Sequence, residues 1–345
     1  MDTVTAPSEL SLLLGDFDRE RFFTQHWERR ALHIRHKKPS RFAHLISHES
    51  FFDTEVKRCA HLKASSRDKD GWNQEIRIQP EQALKLFRTG MTICATMLDE
   101  CGPSGELIRA LRSGITSAAP PHVNCYYSPD QRGYGLHFDT HPVWILQVAG
   151  SKHWTVSFEP GVRNPLFNVV YPPGRDRIKL PWITLDRPNV EDPEQFMQLC
   201  PEPGDVLYLP AGCWHAARAE GSSLALTLAL SRMTTADLFG LFLSQALPQQ
   251  SGLSTRLSPF PKSDAADGKG RVEVQAQLAA DLEQLKELVK RLDANALMKI
   301  YEHCAGHPEM FANRQMADAP RQVQSMIEQY STRRAEGALD GKSSG

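Results

Sequence analysis

The sequence predicts an α+β protein in which helical segments flank an antiparallel barrel or sandwich of short strands. Residues 1–118 read as mainly helical with short strands, and residues 119–232 contain closely spaced apolar runs bounded by proline and glycine. Residues 233–345 lose the strand pattern and are predicted to be helical. With 345 residues, of which 41% are hydrophobic and 23% charged, the chain is long enough for about two domains with ordinary cores.

Proline and glycine mark the ends of the helices predicted in the first part. Pro80 opens and Gly90 closes one segment with helical periodicity, and residues 104–114 repeat the pattern. In the last part, helices are predicted over residues 235–246, 272–292 and 321–330. The leucines of residues 272–292 recur every three or four positions over only about two heptads, which favours packing or a dimer contact over a long coiled coil.

The predicted strands are short runs rich in Val, Ile, Leu, Tyr and Trp. They cover residues 123–128, 142–148, 152–158, 205–209 and 223–230. Gly150-Ser151 and Glu220-Gly221 separate such runs, and each is typical of a tight hairpin turn. The chain is therefore expected to reverse direction at both places.

Charge and composition argue against several classes of protein. The 40 basic and 41 acidic residues give a net charge of −1, so no direct nucleic-acid partner is expected. No apolar run approaches the ~20 residues that cross a bilayer, and Asp2 lies where a signal peptide carries positive charge. The seven cysteines are scattered and contain no C-x-x-C pair, which favours small core residues in a reducing cytoplasm.

The strongest chemical motif is His137-Phe138-Asp139. In an extended strand, side chains two apart project to the same face, so an imidazole and a carboxylate can converge on one metal ion. A third ligand is best supplied by His215, at the start of a later predicted strand. Two histidines and one carboxylate are the ligand set of non-haem iron(II) oxygenases. His141 is an alternative ligand, and a hydrogen-bonded pair at a strand end is the structural alternative.

Lys152 is the second candidate site residue. A hairpin at Gly150-Ser151 would bring the chain back and let this lysine enter the barrel from the neighbouring strand. A buried ammonium needs an anion, and in an iron oxygenase the distal carboxylate of 2-oxoglutarate would serve. Alternatively, Lys152 is an ordinary surface lysine of a hairpin.

These residues carry a resemblance to a known family. The segments around Asn124-Cys-Tyr126, His137-Phe-Asp139, Gly150-Ser-Lys152-His-Trp154 and Gly212-Cys-Trp-His215 resemble the JmjC-type cupin oxygenases. Within that family, the pattern is similar to the ribosomal-oxygenase branch, which hydroxylates arginine or histidine side chains of ribosomal proteins. The stretch from Phe22 to Ile34 also resembles the N-terminal part of that branch.

The resemblance implies a double-stranded β-helix that holds iron(II) and takes 2-oxoglutarate as cosubstrate. It implies that His137, Asp139 and His215 are catalytic metal ligands and that Lys152 pairs with the distal carboxylate of 2-oxoglutarate. Cosubstrate contacts are implied for Asn124 and Tyr126, with Thr227 as a weaker match; plain strand packing is the alternative.

The resemblance further implies hydroxylation of a protein, and a homodimer formed through the C-terminal helices. Two other functions stay open at this point. One is the same oxygenase chemistry on a small molecule or peptide natural product, and the other is a metal-binding cupin without catalysis. His303 and His307 lie one helical turn apart and could bind zinc, but no further ligand is evident, which favours a surface helix.

Overall fold

The computed structural model describes residues 10–59, 61–67, 73–98, 102, 105–115, 121–180, 183–230, 233–246, 269–290 and 293–306. The chain divides into two compact units. The described residues up to 230 belong to the first unit, and those from 233 to 306 belong to the second. The predicted helix over residues 321–330 lies outside the described residues.

The first unit is built mainly from strands. They are β1 Leu32–Ile34, β2 His61–Arg67, β3 Asn73–Arg77, β4 Thr92–Leu98, β5 Pro121–Ser128, β6 His137–Phe138, β7 Val143–Ser157, β8 Val169–Val170, β9 Arg177–Lys179, β10 Thr184–Asp186, β11 Phe196–Leu199, β12 Val206–Leu209 and β13 His215–Leu230. Its helices are α1 Ser11–Leu14, α2 Arg19–Arg21, α3 His48–Ser50, α4 Val56–Arg58, α5 Pro80–Arg88 and α6 Gly105–Gly114. Shorter π-helical or 3₁₀ turns cover Phe22–His26, Pro39–Phe42 and Phe51–Glu55.

Eleven strands form one antiparallel sheet in the order β1-β12-β7-β13-β5-β4-β2-β3, with β11 paired to β7 and β6 paired to β13 and β8. Strands β9 and β10 form a separate pair. The long strands β7 and β13 pair along nearly their whole length, from His215 opposite Val156 to Ala229 opposite Val143. The predicted α+β class with an antiparallel barrel-like core is confirmed.

The two predicted hairpins are wrong. Residues 143–157 form one continuous strand, and so do residues 215–230, without a chain reversal at Gly150 or Gly221. Instead, the register between these strands shifts at Glu220 and Leu224, so the two glycines mark an irregular stretch where the paired strands bend together. Gly150 has a φ of 63°, and a Cβ there would collide with the carbonyl oxygen of Ser222.

The helices predicted near residues 80–90 and 104–114 are confirmed as α5 and α6. Pro80 occupies the first turn of α5, Gln79 and Gln82 form reciprocal capping bonds, and Gly90 follows the helix with a φ of 94°. The sequence pattern did not predict that residues before 118 add β2, β3 and β4 to the main sheet.

The core beneath the long strands is aromatic. Phe22, in the π-helical turn, is fully buried and meets Trp144 of β7 and Tyr208 of β12 at ring-centroid distances of 6.3 and 4.9 Å. Trp27 stacks on Tyr208 at 6.0 Å. The N-terminal turns therefore brace the outer side of the strands whose other residues line the site.

In the described part of the second unit there are three helices: α7 Thr235–Ala246, α8 Lys269–Lys290 and α9 Ala294–Gly306. Helix α7 agrees with the predicted bounds, and α8 begins three residues before the predicted start at 272. Among the described residues, no helix is long and apolar enough to cross a membrane.

Candidate metal centre and adjoining cavity

Three potential metal ligands converge at one end of the barrel. His137 of β6 and His215 of β13 are directly paired across the two strands, and their ring centroids lie 4.0 Å apart. Asp139 follows β6, and its Oδ2 lies 3.7 Å from His215 Nε2. One donor atom from each of the three residues lies within 4.8 Å of the others. Residues 78 positions apart in the sequence thus form one compact donor set.

Both imidazoles are oriented by the backbone. His137 Nδ1 donates to the carbonyl of Gly135 at 2.7 Å, and His215 Nδ1 donates to the carbonyl of Cys213 at 2.9 Å. A carbonyl can only accept, so each Nδ1 carries the proton and each Nε2 keeps its lone pair for a ligand.

Glycine holds the loop before His215 close to Asp139. Gly212 has a φ of 79°, and its N–H donates to the carbonyl of Asp139 at 2.9 Å, while its own carbonyl accepts from Gly161 at 3.0 Å. A Cβ at Gly212 would collide with the carbonyl oxygen of Val162. Only glycine allows the approach that joins the two ligand-bearing segments.

Electrostatics favour a neutral imidazole beside an ionised carboxylate. Burial, together with the nearby His137, lowers the pKa of His215 to about 3. For Asp139, burial disfavours the charged form, but the charges of His137 and His215 outweigh it and lower the pKa. His215 and Asp139 are therefore in their metal-binding protonation states at neutral pH.

Lys152 is buried in the same cavity, with 4% of its surface exposed. Its ammonium lies 5.9 Å from the centroid of the Tyr126 ring, and burial lowers its pKa to about 8. Among the described residues, no carboxylate forms an ion pair with it. The predicted inward position is observed, but Lys152 reaches it on a continuous bent strand and not through a hairpin.

The cavity measures about 590 Å³ and contains every sequence-predicted site residue. Asn124 of β5 lies directly opposite Thr227 of β13, and both line the cavity with Tyr126, Lys152 and the three converging donors. Its volume is within the range of small-molecule sites.

His141, the alternative ligand, lines the cavity but does not join the donor set. Its ring lies beside His122 at a centroid distance of 5.7 Å. Burial, with the nearby His141, lowers the pKa of His122 to about 4. The side chains of His303 and His307 lie outside the described residues.

Sequence reasoning missed several residues of the cavity. Trp154, two residues after Lys152, points the same way; its Nε1 is buried, with no hydrogen-bond partner among the described groups. Alternation along β7 could have found it. Glu75 and Tyr134, whose hydroxyl donates to Glu75 at 2.9 Å, also line the cavity. They come from β3 and a loop, and no local motif marks them.

Part of the chain matches a known domain family. Residues 107–238 match the family model described as the JmjC domain. The chain is 25% identical over 238 residues to the bifunctional lysine-specific demethylase and histidyl-hydroxylase NO66 of Drosophila grimshawi, covering 64% of this chain and 30% of that protein. It is 28% identical over 250 residues to ribosomal oxygenase 1 of Rattus norvegicus, covering 68% of this chain and 38% of that protein.

A solved structure shares the fold. YcfD, a ribosomal oxygenase from Escherichia coli in complex with cobalt and succinic acid, aligns with a TM-score of 0.51 and 17% identity, covering 82% of this chain and 69% of that chain. Residues 107–238 therefore resemble a JmjC domain, the chain shares the fold of YcfD, and the predicted resemblance to the ribosomal-oxygenase branch is confirmed. It spans about a third of the length of the two curated relatives.

Proposed function

We propose that this protein is an iron(II)- and 2-oxoglutarate-dependent dioxygenase that hydroxylates an arginine or histidine side chain of a ribosomal protein. One observation carries the proposal: the His137, Asp139 and His215 donors share a cavity with the buried Lys152 ammonium, for which the described residues supply no carboxylate. A metal site and an anion site in one small cavity are what a chelating diacid requires.

The three donors suit iron(II). Two imidazoles, from β6 and β13, and the carboxylate of Asp139 just after β6 would leave coordination positions of the ion open for a chelating cosubstrate. The backbone bonds to Gly135 and Cys213 fix both rings before the metal arrives, which reduces the entropy lost on binding.

The other cavity residues suit the dicarboxylate. We assign Lys152 to the distal carboxylate of 2-oxoglutarate and Asn124, Tyr126 and Thr227 to the cosubstrate pocket. The unpartnered indole N–H of Trp154 adds a further donor beside them. Because an anion favours the charged form of Lys152, cosubstrate binding offsets the burial that lowers its pKa.

When bound, iron and 2-oxoglutarate supply the oxidation that inserts oxygen into a C–H bond, with succinate and carbon dioxide as by-products. The residues of this chain would position the reactants: the donor set would hold the metal, and Lys152 would fix the far end of the diacid. Glu75, which pairs with Lys63 at 3.2 Å and accepts from Tyr134, lines the cavity and adds a carboxylate suited to a side chain that donates hydrogen bonds, such as arginine or histidine.

The names of the relatives support a protein substrate, since both describe oxygenases or hydroxylases of proteins. We further propose a homodimer formed through the C-terminal region, residues 233–345, with residues 1–118 and 119–232 forming the catalytic part. We place the protein in the cytoplasm, supported by five free cysteines among the described residues.

Succinate formation tests the proposal. Full-length protein is incubated anaerobically with iron(II), 2-oxoglutarate and ribosomal proteins, and oxygen is then admitted. We expect succinate in step with a mass increase of one oxygen atom on an arginine or histidine of one ribosomal protein. Asp139→Ala should abolish both signals because it removes a metal ligand, while Asp176→Ala, which removes an exposed carboxylate elsewhere, should leave them unchanged.

Two results would redirect the assignment. Turnover with a small molecule or free peptide, but with none of the ribosomal proteins, would keep the chemistry and reject the substrate. Metal binding without any 2-oxoglutarate consumption, together with unchanged metal affinity in Lys152→Ala, would instead identify a non-catalytic cupin.

A further inference from the structure

A second set of metal-type donors lies on the outer surface of the barrel. His153, Cys200 and Glu220 each place one donor atom within 4.8 Å of the others. His153 and Glu220 are exposed, and Cys200 is half-buried. Among the described residues, this set and the candidate centre in the cavity are the two groups of at least three such donors that come so close together.

Strand pairing explains how these three residues meet. Strand β7 carries His153 and is flanked by β11 and β13. Leu199, the last residue of β11, lies opposite Trp154, so Cys200 follows beside His153. Glu220 is paired with Ser151, which places it diagonally across from His153 on the other side.

The outer set is separate from the cavity. Lys152 and Trp154, on either side of His153, line the cavity, so alternation along the strand turns His153 outward. His153 and Glu220 lie on the paired strands β7 and β13, and Cys200 directly follows β11 of the same sheet. The backbone positions are therefore fixed, and only side-chain rotations remain free.

The distances suit a small tetrahedral ion. His153 Nε2 lies 3.1 Å from Glu220 Oε2, and Cys200 Sγ lies 4.0 Å from the same oxygen. Ligand atoms of a tetrahedral zinc ion with nitrogen, oxygen and sulfur donors are separated by roughly 3.4–3.6 Å. Shifts of about half an ångström, within the reach of side-chain rotation, would complete the geometry.

The donor types narrow the class of metal. A thiolate, an imidazole and a carboxylate together favour borderline-soft ions such as zinc over magnesium or calcium, which take oxygen ligands. Arg218, opposite His153, is a competing positive charge. Its guanidinium donates to Gln131 and interacts with the carboxylate of Asp130, which reduces its repulsion of a cation.

We propose that His153, Cys200 and Glu220 bind one zinc-class divalent transition-metal ion on the outer face of the barrel. Binding displaces the proton of the Cys200 thiol to solvent, and the fourth position is left for water or an incoming ligand. The ion joins β11, β7 and β13, the strands behind Lys152 and His215. This inference does not depend on the proposed oxygenase activity.

Cobalt(II) distinguishes this site from the cavity site because only the outer set contains sulfur. Full-length reduced protein is titrated with cobalt(II) under nitrogen, and the thiolate-to-cobalt charge-transfer absorption is recorded. We expect this absorption to reach its maximum when one cobalt ion occupies the outer site, in addition to any ion in the cavity, and we expect zinc to displace it. Cys200→Ser should abolish it, whereas Cys59→Ser, which alters another half-buried thiol, should leave it unchanged.

The remaining ligands have their own test. His153→Ala should weaken cobalt binding at this site at least about tenfold, because losing a ligand should cost no less than losing a ligand's supporting partner. Far-ultraviolet circular dichroism establishes that each variant is folded. Absence of the charge-transfer band in the wild-type protein, or its persistence in Cys200→Ser, would overturn the proposal.

Discussion

At the scale of single residues, the metal ligands are prepared by short backbone bonds. His137 and His215 each donate from Nδ1 to the carbonyl two residues earlier, so the same local arrangement occurs on both strands. It fixes the tautomer and aims both Nε2 atoms at the shared space beside Asp139. The ligand set is therefore organised by its own strands, before any metal binds.

The metal ligands are stabilised by hydrogen bonds, whereas the charged form of Lys152 is destabilised by burial. Its pKa of about 8 in the folded protein lies below the usual 10.5. Between these two values the unfolded chain binds more protons than the folded chain, so the free energy of unfolding should rise with pH. Below about pH 8 the buried charge destabilises the fold by up to about 3 kcal/mol.

Lys152→Met should therefore raise stability while impairing cosubstrate binding. We expect a higher free energy of unfolding at pH 7 without cosubstrate, and loss of the rise with pH between about 8 and 10.5. Affinity for 2-oxoglutarate should fall at least about thirtyfold, because one partner of a buried charge pair is removed. Urea unfolding across pH and calorimetric titration measure the two effects.

The exposed Lys179→Met is the matched control and should change neither quantity. A Lys152→Met variant that is less stable than wild type at pH 7 would contradict the burial argument. One that keeps its affinity for 2-oxoglutarate would contradict the assigned role of the ammonium.

Site residues differ in how visible they are in the sequence. His137 and Asp139 are recognisable because two-residue spacing places both on one side of a strand. His215 needs the combination of motifs, since nothing local marks it. Trp154 and His122 were not predicted as site residues, because a buried tryptophan or histidine has the same sequence pattern whether it packs in a core or lines a cavity.

At the scale of elements, the bend in β7 and β13 determines where the site residues lie. Both glycines at this bend have a positive φ, 63° for Gly150 and 66° for Gly221, which sequence patterns read as turns. The pairing with the neighbouring strand shows which of the two structures, a turn or a continuous strand, is present. Gly150 packs against the backbone at Ser222, so the two strands bend as a pair and continue. Glycine is typical both of a hairpin turn and of a bend in two continuous paired strands, and only the long-range pairing of the strands distinguishes the two structures.

The two glycines allow a matched test of this bend. Gly221→Ala should cost about 1–2 kcal/mol because of its backbone conformation alone, since nothing lies within 4 Å of the added carbon. Gly150→Ala carries the same strain and a collision with the Ser222 carbonyl, which should add about 1–3 kcal/mol. Urea unfolding of both variants measures the difference.

Because Gly150 lies two residues before Lys152, the same substitution should also weaken 2-oxoglutarate binding in protein that remains folded. Gly221→Ala should leave that affinity near the wild-type value. Equal destabilisation by the two substitutions would show that the close approach at Gly150 contributes nothing.

At the scale of the whole molecule, the sequence predicted the class of the fold better than it predicted which strands pair with one another. Apolar runs between prolines and glycines predicted β5, β12 and most of β7 and β13, because burial imposes that pattern locally, but they did not predict the short strands β8 to β11. Strands β2, β3 and β4 were not predicted, since they extend the sheet by long-range pairing that leaves little local trace. The second unit was predicted as helical, and α7 and α8 agree.

The proposed dimer rests on one face of α8. Leu278, Leu282, Leu285 and Val289 follow a spacing of four, three and four residues, as at the contact positions of paired helices. Leu278 is 49% exposed and Leu282 is 50% exposed, which is unusual for neighbouring leucines on a folded helix. A second copy of the chain would bury this face.

Replacing both leucines by lysine should therefore convert a dimer into a monomer. Leu278→Lys/Leu282→Lys places two charges in the contact, whereas Gln284→Lys adds the same side chain on the opposite side of the helix and should keep the dimer. Sedimentation velocity measures the change in mass, and circular dichroism establishes that the helices persist. A wild-type protein that sediments as a monomer would contradict the proposed dimer, and a double variant that stays dimeric would show that α8 does not form the interface. Neither result would affect the succinate assay, which tests the cavity independently.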